Sequence, residues 1–342
     1  MRNFVTILSL SFVWLIMLVL AVTVGSTPVS VSEILAVFLG KTDQAALAHV
    51  VISIRMPRAI TATLAGAALG VAGLQMQTLL RNPLADPYVL GVTSGASLGV
   101  ALVVLVSGGF TFGVFGASTG FVGSITVVLS ATLGALVILI PTLIIASYLR
   151  NAGTVLIFGL MVGYAVSAFV TVLVAGASPD QLQRWTAWGF GSFSAVSWSD
   201  LPVFLSTICC GLGVAAISIK QLNATLLGED YARSMGVNTR LTRLATMGSA
   251  SLMAGAVTAY CGPIAFLGVA VPHLARAVTR TSDHAILVPV SALLGAQFAL
   301  VAQLASLAPG QMGILPINAV TALVGAPIVI FVILRSRRGI AW

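Results

Sequence analysis

Long apolar stretches with very few charged residues run through the whole chain. Ten of them occur, at residues 4–24, 58–80, 88–106, 121–149, 154–175, 201–219, 241–260, 264–279, 285–307 and 316–334. A helix needs about 20 apolar residues to cross a bilayer core, and the eighth stretch, which contains Pro272 and His273, is short by that measure. The runs are continuous rather than alternating, which favours helices over barrel strands. The sequence therefore predicts an all-α integral membrane protein with ten transmembrane helices.

The composition excludes several classes of protein. Only 7% of the residues are charged and 58% are hydrophobic, whereas roughly a quarter of the residues are charged in a soluble domain. This excludes a soluble enzyme, a nucleic-acid-binding protein and a disordered chain. Three cysteines are too few for a disulfide framework. The first stretch also resembles a signal peptide, but it exceeds a typical h-region in length and we expect a retained span.

The cations predict the orientation of the helices. Ten spans place both termini on one side, and flanks on that side hold twelve of the sixteen cations, namely Arg2, Arg81, Arg150, Lys220, Arg233, Arg240, Arg243, Arg276, Arg280, Arg335, Arg337 and Arg338. The opposite side holds Lys41, Arg55, Arg58 and Arg184. The positive-inside rule then places both termini in the cytoplasm. The net charge of +8 is thereby explained by topology, without a nucleic-acid partner.

We expect a single transmembrane domain over residues 1–342, with halves at about 1–198 and 199–342. Each half has an odd number of spans, so a duplication would make them inverted repeats. An alanine- and glycine-rich helix followed by a Pro-bearing break occurs at 62–87 and again at 250–272. Gly66–Gly70 and Gly91–Gly95–Gly99 form GxxxG pairs, which let helices pack closely. Alternatively, they form a sliding contact between the second and third spans.

The chain carries no evident source of energy for transport. All eight acids lie in loops or at segment edges, and the sequence contains no G-x-x-x-x-G-K-[ST] loop. A partner protein must therefore drive any directional work. The longest hydrophilic stretch on the cytoplasmic side, residues 220–243, predicts one or two short helices within Ala224–Met235, ended by Gly236 and Asn238. It is either a docking helix for that partner or a solvated interfacial loop.

Four motifs resemble the FecCD family of permease subunits from ATP-binding-cassette importers. They are RMPRAITATLAGAALGVAGLQMQTLLRNPLADPYVLGVTSGASLG from Arg55, LGEDYARSMGVN from Leu227, GPIAFLGVAVPHLAR from Gly262 and LPINAVTALVGAPIVIFVIL from Leu315. The resemblance implies the type II importer permease fold, with ten helices in two inverted five-helix halves. It also implies a homodimer, two cytoplasmic ATP-binding subunits and an external substrate-binding protein, which is periplasmic or lipid-anchored.

The resemblance also implies residue roles on the cytoplasmic side. The ATPase-coupling residues would be Gly228, Glu229, Asp230, Ala232, Arg233 and Gly236. We expect the small side chain of Ala232 to lie at the contact and Glu229 and Arg233 to form its polar rim. Asn82 and Leu84 would narrow the pathway as a cytoplasmic gate. Ala152 and Gly153 align with a second constriction, where cobalamin relatives have hydroxyl residues and this chain departs from them.

On the outside, Arg55 and Arg58 match arginines that pair with acidic residues of the binding protein. Alternatively, these arginines snorkel at the membrane interface. Gln303 stands where cobalamin relatives have a further docking arginine. The resemblance places Trp185, Trp188 and Trp198 in an external re-entrant region as interface anchors, with the alternative that Trp185 or Phe190 lines the entrance.

The resulting hypothesis is a non-catalytic permease subunit in the bacterial inner membrane. It would import a large metal chelate, heme or an iron-siderophore, while a separate ATPase subunit hydrolyses ATP. The same role for cobalamin or another corrinoid is the alternative, and an ion-coupled secondary transporter is a remote one. An intramembrane enzyme would need a catalytic dyad or a metal-ligand cluster, which the spans do not contain. We predict no metal site and no cofactor; besides the protein partners, membrane lipid surrounds the chain.

Overall fold

The computed structural model describes residues 2–25, 29–41, 44–106, 121–148, 152–307 and 315–336. Of the predicted cytoplasmic cations, Arg150, Arg337 and Arg338 lie outside this part of the chain. Within it, every regular element is a helix. The first-half helices are α1 (Arg2–Thr23), α2 (Val31–Phe38), α3 (Ala45–His49), α4 (Met56–Leu79), α5 (Val92–Ala101), α6 (Phe121–Tyr148) and α7 (Ala152–Ala175). A π-helical turn, Val50–Arg55, joins α3 to α4.

The second half begins after the segment that the sequence analysis expects to be external. That segment contains α8 (Pro179–Gly189) and a 3₁₀ turn at Phe193–Ala195. The remaining helices are α9 (Leu201–Ile217), α10 (Ile219–Leu226), α11 (Glu229–Ser234), α12 (Thr239–Cys261), α13 (Leu267–Thr279), α14 (His284–Leu307) and α15 (Ile317–Ser336). Helices therefore lie at all ten predicted segments, which confirms the predicted fold class.

The helices differ in length and in bending. Six described helices are long and apolar enough to cross a membrane, and the pair α9 and α10, bent by 51°, makes a seventh. The shorter apolar helices are Val92–Leu105 and Ile317–Phe331. The eighth predicted segment is α13, with 13 residues and Pro272 in its interior. Phe4, Leu8 and Phe12 of α1 are more than 60% exposed, as expected for side chains that face lipid.

The two halves repeat the same pattern of helix contacts. In the first half α4 packs on α14 of the other half, and in the second half α12 packs on α6. Likewise α5 contacts α6 and α7, as α13 contacts α14 and α15. Both core helices, α4 and α12, are followed by a Pro-bearing break, at 80–87 and at 262–266. This matches the plan of two five-helix halves.

Glycines set the closest helix crossings. A Cβ atom at Gly66 would overlap the carbonyl of Gly295, and one at Gly99 would overlap the carbonyl of Ser130. The GxxxG pairs of α4 and α5 therefore let these helices touch α14 and α6. The alternative expectation, a sliding contact between the second and third spans, is wrong because these glycines face other helices.

Candidate functional site

The predicted docking segment, residues 220–243, folds as α10, α11 and the start of α12. Gly228 lies between α10 and α11 with φ 122°, and Gly236 ends α11 with φ 82°. Glycine adopts such angles without the steric cost that other residues meet. Asn238 caps α12 by accepting a hydrogen bond from the Leu241 N–H at 3.0 Å. The structure thus contains the two predicted short helices, and Gly236 follows the second one. The prediction was wrong in two respects: α10 begins at Ile219, before the predicted stretch, and Asn238 starts α12 instead of ending a helix.

One side of α11 is fastened to the rest of the protein. Arg243 of α12 donates to the Glu229 carboxylate, with 2.6 Å between Nη2 and Oε1, and the Arg243 side chain is only 13% exposed. Ala232 is fully buried. The expected contact of Ala232 with a partner does not agree with this position, because the small side chain lies on the inner side of α11. Sequence reasoning also missed Arg243, whose pairing with Glu229 depends on the chain turning back at Gly236.

The other side of α11 is open. Asp230 has a fully exposed side chain, and Arg233, 60% exposed, lies 3.7 Å from it. Exposed apolar side chains flank these charges, namely Leu227, Tyr231 and Met235. The sequence analysis did not select these three residues, although large apolar side chains within the most polar stretch of the chain were the pattern that could have revealed them. We call Leu227, Asp230, Tyr231, Arg233 and Met235 the docking face.

An open cavity of about 1010 Å³ separates α11 from the ends of α4 and α7. Arg81, Gly153, Glu229 and Tyr231 are among its lining residues. Gly153, from the second predicted constriction, therefore faces the docking segment, while of Ala152 only the backbone is described. Arg81 has φ 46° and donates from Nη2 to the Thr225 carbonyl at 3.3 Å. The loop that follows α4 and the docking segment thus border the same cavity.

The loop at 80–86 contains the two predicted gate residues. The Asn82 side chain accepts a hydrogen bond from the Leu84 N–H at 3.0 Å, so Asn82 shapes the loop. Leu84 is 44% exposed. His273 of α13 holds the loop from the other side, with 2.8 Å between Nε2 and the Pro83 carbonyl oxygen. Of the two predicted gate residues, Leu84 therefore has the more exposed side chain.

Asp86 closes this loop. Its carboxylate accepts a hydrogen bond from the Tyr88 N–H at 2.8 Å and caps the 3₁₀ turn Pro87–Leu90. Burial raises the pKa of Asp86 to about 6, and the Tyr88 hydrogen bond opposes this rise. The carboxyl group is therefore near half protonation at mildly acidic pH.

The opposite end of the bundle contains the predicted external arginines. Arg55 is 7% exposed and donates from Nη1 to the Val22 and Thr23 carbonyls at 2.9 and 2.8 Å, which caps the end of α1. Arg58 is half-buried, and its Nε has no hydrogen-bond partner among the described residues. In this structure Nη1 of Arg55 is hydrogen-bonded inside the protein, whereas the Nε of Arg58 is buried without such a bond.

The external aromatic residues do not form a single group. Trp185 and Trp188 pack against the core, while Trp198 donates from Nε1 to the Ile52 carbonyl at 2.8 Å and ties the segment after α8 to the π-helical turn. Phe190 is half exposed. Gln303 is 1% exposed within α14, so it cannot meet a binding protein from this position. The described residues contain no cluster of side chains able to hold a metal ion.

Comparison with known proteins shows the family of the chain. The model of the FecCD transport family matches residues 13–335. The chain belongs to the FecCD transport family.

Two relatives and one solved structure illustrate the range of the family. The chain is 35% identical to the hemin transport system permease protein HmuU of Yersinia pestis, over 85% of each chain. It is 33% identical to the vitamin B12 import system permease protein BtuC of Escherichia coli O9:H4 (strain HS), over 83% of each chain. The solved structure is an inward-facing conformation described as a metal-chelate type ABC transporter. One of its chains superposes on this chain with a TM-score of 0.82 and 25% sequence identity. The superposition covers 96% of this chain and 99% of the other.

Proposed function

We propose that this chain is the non-catalytic permease subunit of an ATP-driven importer for a metal chelate. The observation that carries the proposal is the placement of the docking face, the cavity and the loop at 80–86 at one end of a ten-helix bundle. A partner that moves α11 would act on one side of this cavity. The loop that contains the predicted gate residues begins on the other side. Every step of hydrolysis would occur in the partner, since the chain has no phosphate-binding loop.

The docking end would face the cytoplasm. Arg81 contacts Thr225, Arg243 contacts Glu229 and Arg240 lies over the Tyr148 ring at 5.6 Å, so these cations share one end of the bundle. The positive-inside rule assigns such an end to the cytoplasm of a bacterial inner membrane. Both termini would lie on the same side.

The partners follow from this orientation. Two cytoplasmic ATP-binding subunits would contact the docking faces of a homodimer, with Gly228 and Gly236 as the hinges of each α11. A substrate-binding protein would deliver the chelate to the opposite end, where Arg58 is the better-placed of the two arginines. Leu84, positioned by Asn82, would narrow the pathway at the cytoplasmic end.

The cargo would be heme or an iron-siderophore. HmuU is a hemin permease and BtuC a vitamin B12 permease, and the identities of 35% and 33% are too close to separate them. The burial of Gln303 inside α14 removes that position as a discriminating docking residue. A corrinoid is therefore the alternative cargo.

The test is reconstitution of the permease with its ATPase and binding proteins in lipid vesicles. We expect a stable complex whose ATP hydrolysis rises when the binding protein carries heme or a ferric siderophore. Stimulation by a corrinoid alone would support the alternative cargo. Uphill uptake by the permease alone, abolished by an ionophore, would overturn the proposal in favour of a secondary transporter.

A further inference from the structure

A continuous chain of hydrogen bonds joins the docking segment to the core of the bundle. Asn223 of α10 accepts at Oδ1 from both the backbone N–H and the ring Nδ1 of His284, at 2.9 and 2.7 Å. The other ring nitrogen, Nε2, lies 2.8 Å from the Thr78 hydroxyl in the last turn of α4. Three helices, α10, α14 and α4, thus meet in one polar contact. We call Asn223, His284 and Thr78 the polar link.

The partners of Asn223 fix the hydrogen-bond directions at its end of the polar link. Asn223 donates from Nδ2 to the Asp283 carboxylate at 2.7 Å, so its Oδ1 is the acceptor that faces His284. The Nδ1 of His284 must then carry a proton. The Thr78 hydroxyl lies 2.8 Å from Nε2 and 2.9 Å from the Leu74 carbonyl, and it donates its one proton to one of them. Both ring nitrogens therefore have polar partners, which an apolar residue at this position would leave unpaired.

Two of the three residues of the polar link are buried, and Asn223 is half-buried. His284 is 1% exposed and Thr78 is 8% exposed. Water is therefore a poor substitute for either partner, and separating α10 from α4 would leave buried polar atoms unpaired. A cost of this kind favours movement of the three helices together.

The ends of the polar link lie beside the docking segment's α11 and beside the loop at 80–86, which contains the predicted gate residues. Asn223 precedes Gly228 by little more than one helical turn, and Thr78 precedes the loop at 80–86 by two residues. Arg81 adds a second contact between the same two segments through the Thr225 carbonyl. By contrast, Glu229 and Arg243 tie α11 to α12, which does not lead directly into that loop.

We infer that the polar link transmits movement of the docking segment to the cytoplasmic gate. This inference rests on the proposed function, because it presumes that an ATPase moves α11. Asn223, His284 and Thr78 are positioning residues in this scheme: they touch neither the cargo nor the ATPase. When α10 shifts, His284 carries the end of α4 with it, and the loop bearing Leu84 follows.

The experiment uses the full reconstituted importer and measures cargo transported per ATP hydrolysed. Thr78→Val keeps the shape of the side chain but removes the hydroxyl, and Thr78→Ser keeps the hydroxyl. His284→Asn preserves a polar group near Nδ1, and His284→Gln preserves one near Nε2, so each retains half of the polar link. Gln221→Ala is the matched control on α10, because its side-chain oxygen has no hydrogen-bond partner in the described part of the chain.

We expect Thr78→Val and both His284 variants to assemble with the ATPase and to hydrolyse ATP, while transport per ATP falls about tenfold. Thr78→Ser and Gln221→Ala should retain the wild-type ratio. A wild-type ratio in Thr78→Val would overturn the inference while leaving the proposed function intact. A similar fall in transport per ATP in Gln221→Ala would also overturn the inference, because any change in α10 would then be enough to lower transport per ATP. Failure of the wild-type complex to transport at all would instead refute the proposed function.

Discussion

Glu229 and Arg243 form a short ion pair across the turn between α11 and α12, with 2.6 Å between their side-chain atoms. The pair holds the docking helix on its neighbour, whereas Arg233 lies 3.5 Å from the same carboxylate on the exposed side. The main role of Glu229 is therefore to attach α11 to α12, and contact with a partner is secondary.

Glu229→Gln should loosen α11 without unfolding the protein. The amide keeps the shape but loses the charge, and a hydrogen bond between charged groups contributes about 1.5–3 kcal/mol, less where solvent reaches it. We expect amide hydrogen exchange at residues 229–236 to become roughly tenfold faster, corresponding to about 1.4 kcal/mol. Asp230→Asn is the control, since that carboxylate is fully exposed. Equal exchange in both variants would contradict the assigned role of Glu229.

The segment ends and the docking helices could be predicted from the sequence because they depend on local chemistry. Hydropathy marks each long helix, and Gly236 and Asn238 end and start helices through their own backbone preferences. The resemblance then assigned a common role to neighbouring positions. It could not tell the inner residue Ala232 from the outer residue Tyr231, because the face of a short helix depends on what it packs against.

The remaining features depend on contacts between distant residues. Thr78 and His284 are 206 positions apart, and Arg55 reaches a carbonyl 33 positions away. Neither residue type indicates its partner, since an arginine before an apolar helix fits snorkelling, docking or capping equally well. Only the packing of α4 against α14 and α1 decides between these possibilities.

Gly66→Ala should destabilise the crossing of α4 and α14. A methyl group there would overlap the Gly295 carbonyl, which belongs to a helix backbone and cannot rotate away. Overpacking of this kind costs about 1–3 kcal/mol. Gly248→Ala is the matched control in α12, because its added methyl meets nothing within 4 Å. Thermal unfolding in detergent should show a lower Tm for the first variant only; similar Tm values would refute the close crossing.

Asp86 should give folding a pH dependence. Because burial raises its pKa from 3.8 to about 6, the folded protein keeps the proton in the interval where the unfolded chain has released it. Stability contributed by protonated Asp86 is therefore present at pH 4 and is lost as the pH rises through 6. Asp86→Asn retains an acceptor for the Tyr88 N–H but does not titrate.

The measurement is the Tm of wild type minus that of Asp86→Asn from pH 4 to pH 7.5. Taking the difference removes the contribution of all other titrating groups. We expect this difference to fall with rising pH, most steeply between the unfolded pKa of 3.8 and the folded pKa of about 6, and to level off above that. A flat difference would show that folding does not shift the pKa of Asp86.

Leu84→Ala should open the predicted gate without affecting folding. The side chain is 44% exposed, so its truncation should change stability by no more than about 0.5 kcal/mol. We expect the reconstituted importer to leak cargo down its gradient in the absence of ATP, because the pathway would be wider at the loop. Asn82→Ala should also leak, but with a loss of about 1 kcal/mol from the missing hydrogen bond to the Leu84 N–H. Vesicles that remain tight with Leu84→Ala would exclude this side chain as the gate.

We expect Arg55 to stabilise the fold and Arg58 to contact the substrate-binding protein. Arg55→Gln removes a donor shared by the Val22 and Thr23 carbonyls at the end of α1, and should lower stability by about 1–3 kcal/mol. Arg58→Gln should leave the Tm nearly unchanged and weaken binding of the substrate-binding protein by about tenfold, as expected for one charged contact at an interface. Thermal unfolding and surface-immobilised binding measure the two effects on the same preparations. Because Nη1 of Arg55 already caps α1, a loss of affinity in Arg55→Gln with an unchanged Tm would reverse the assignment of the two arginines.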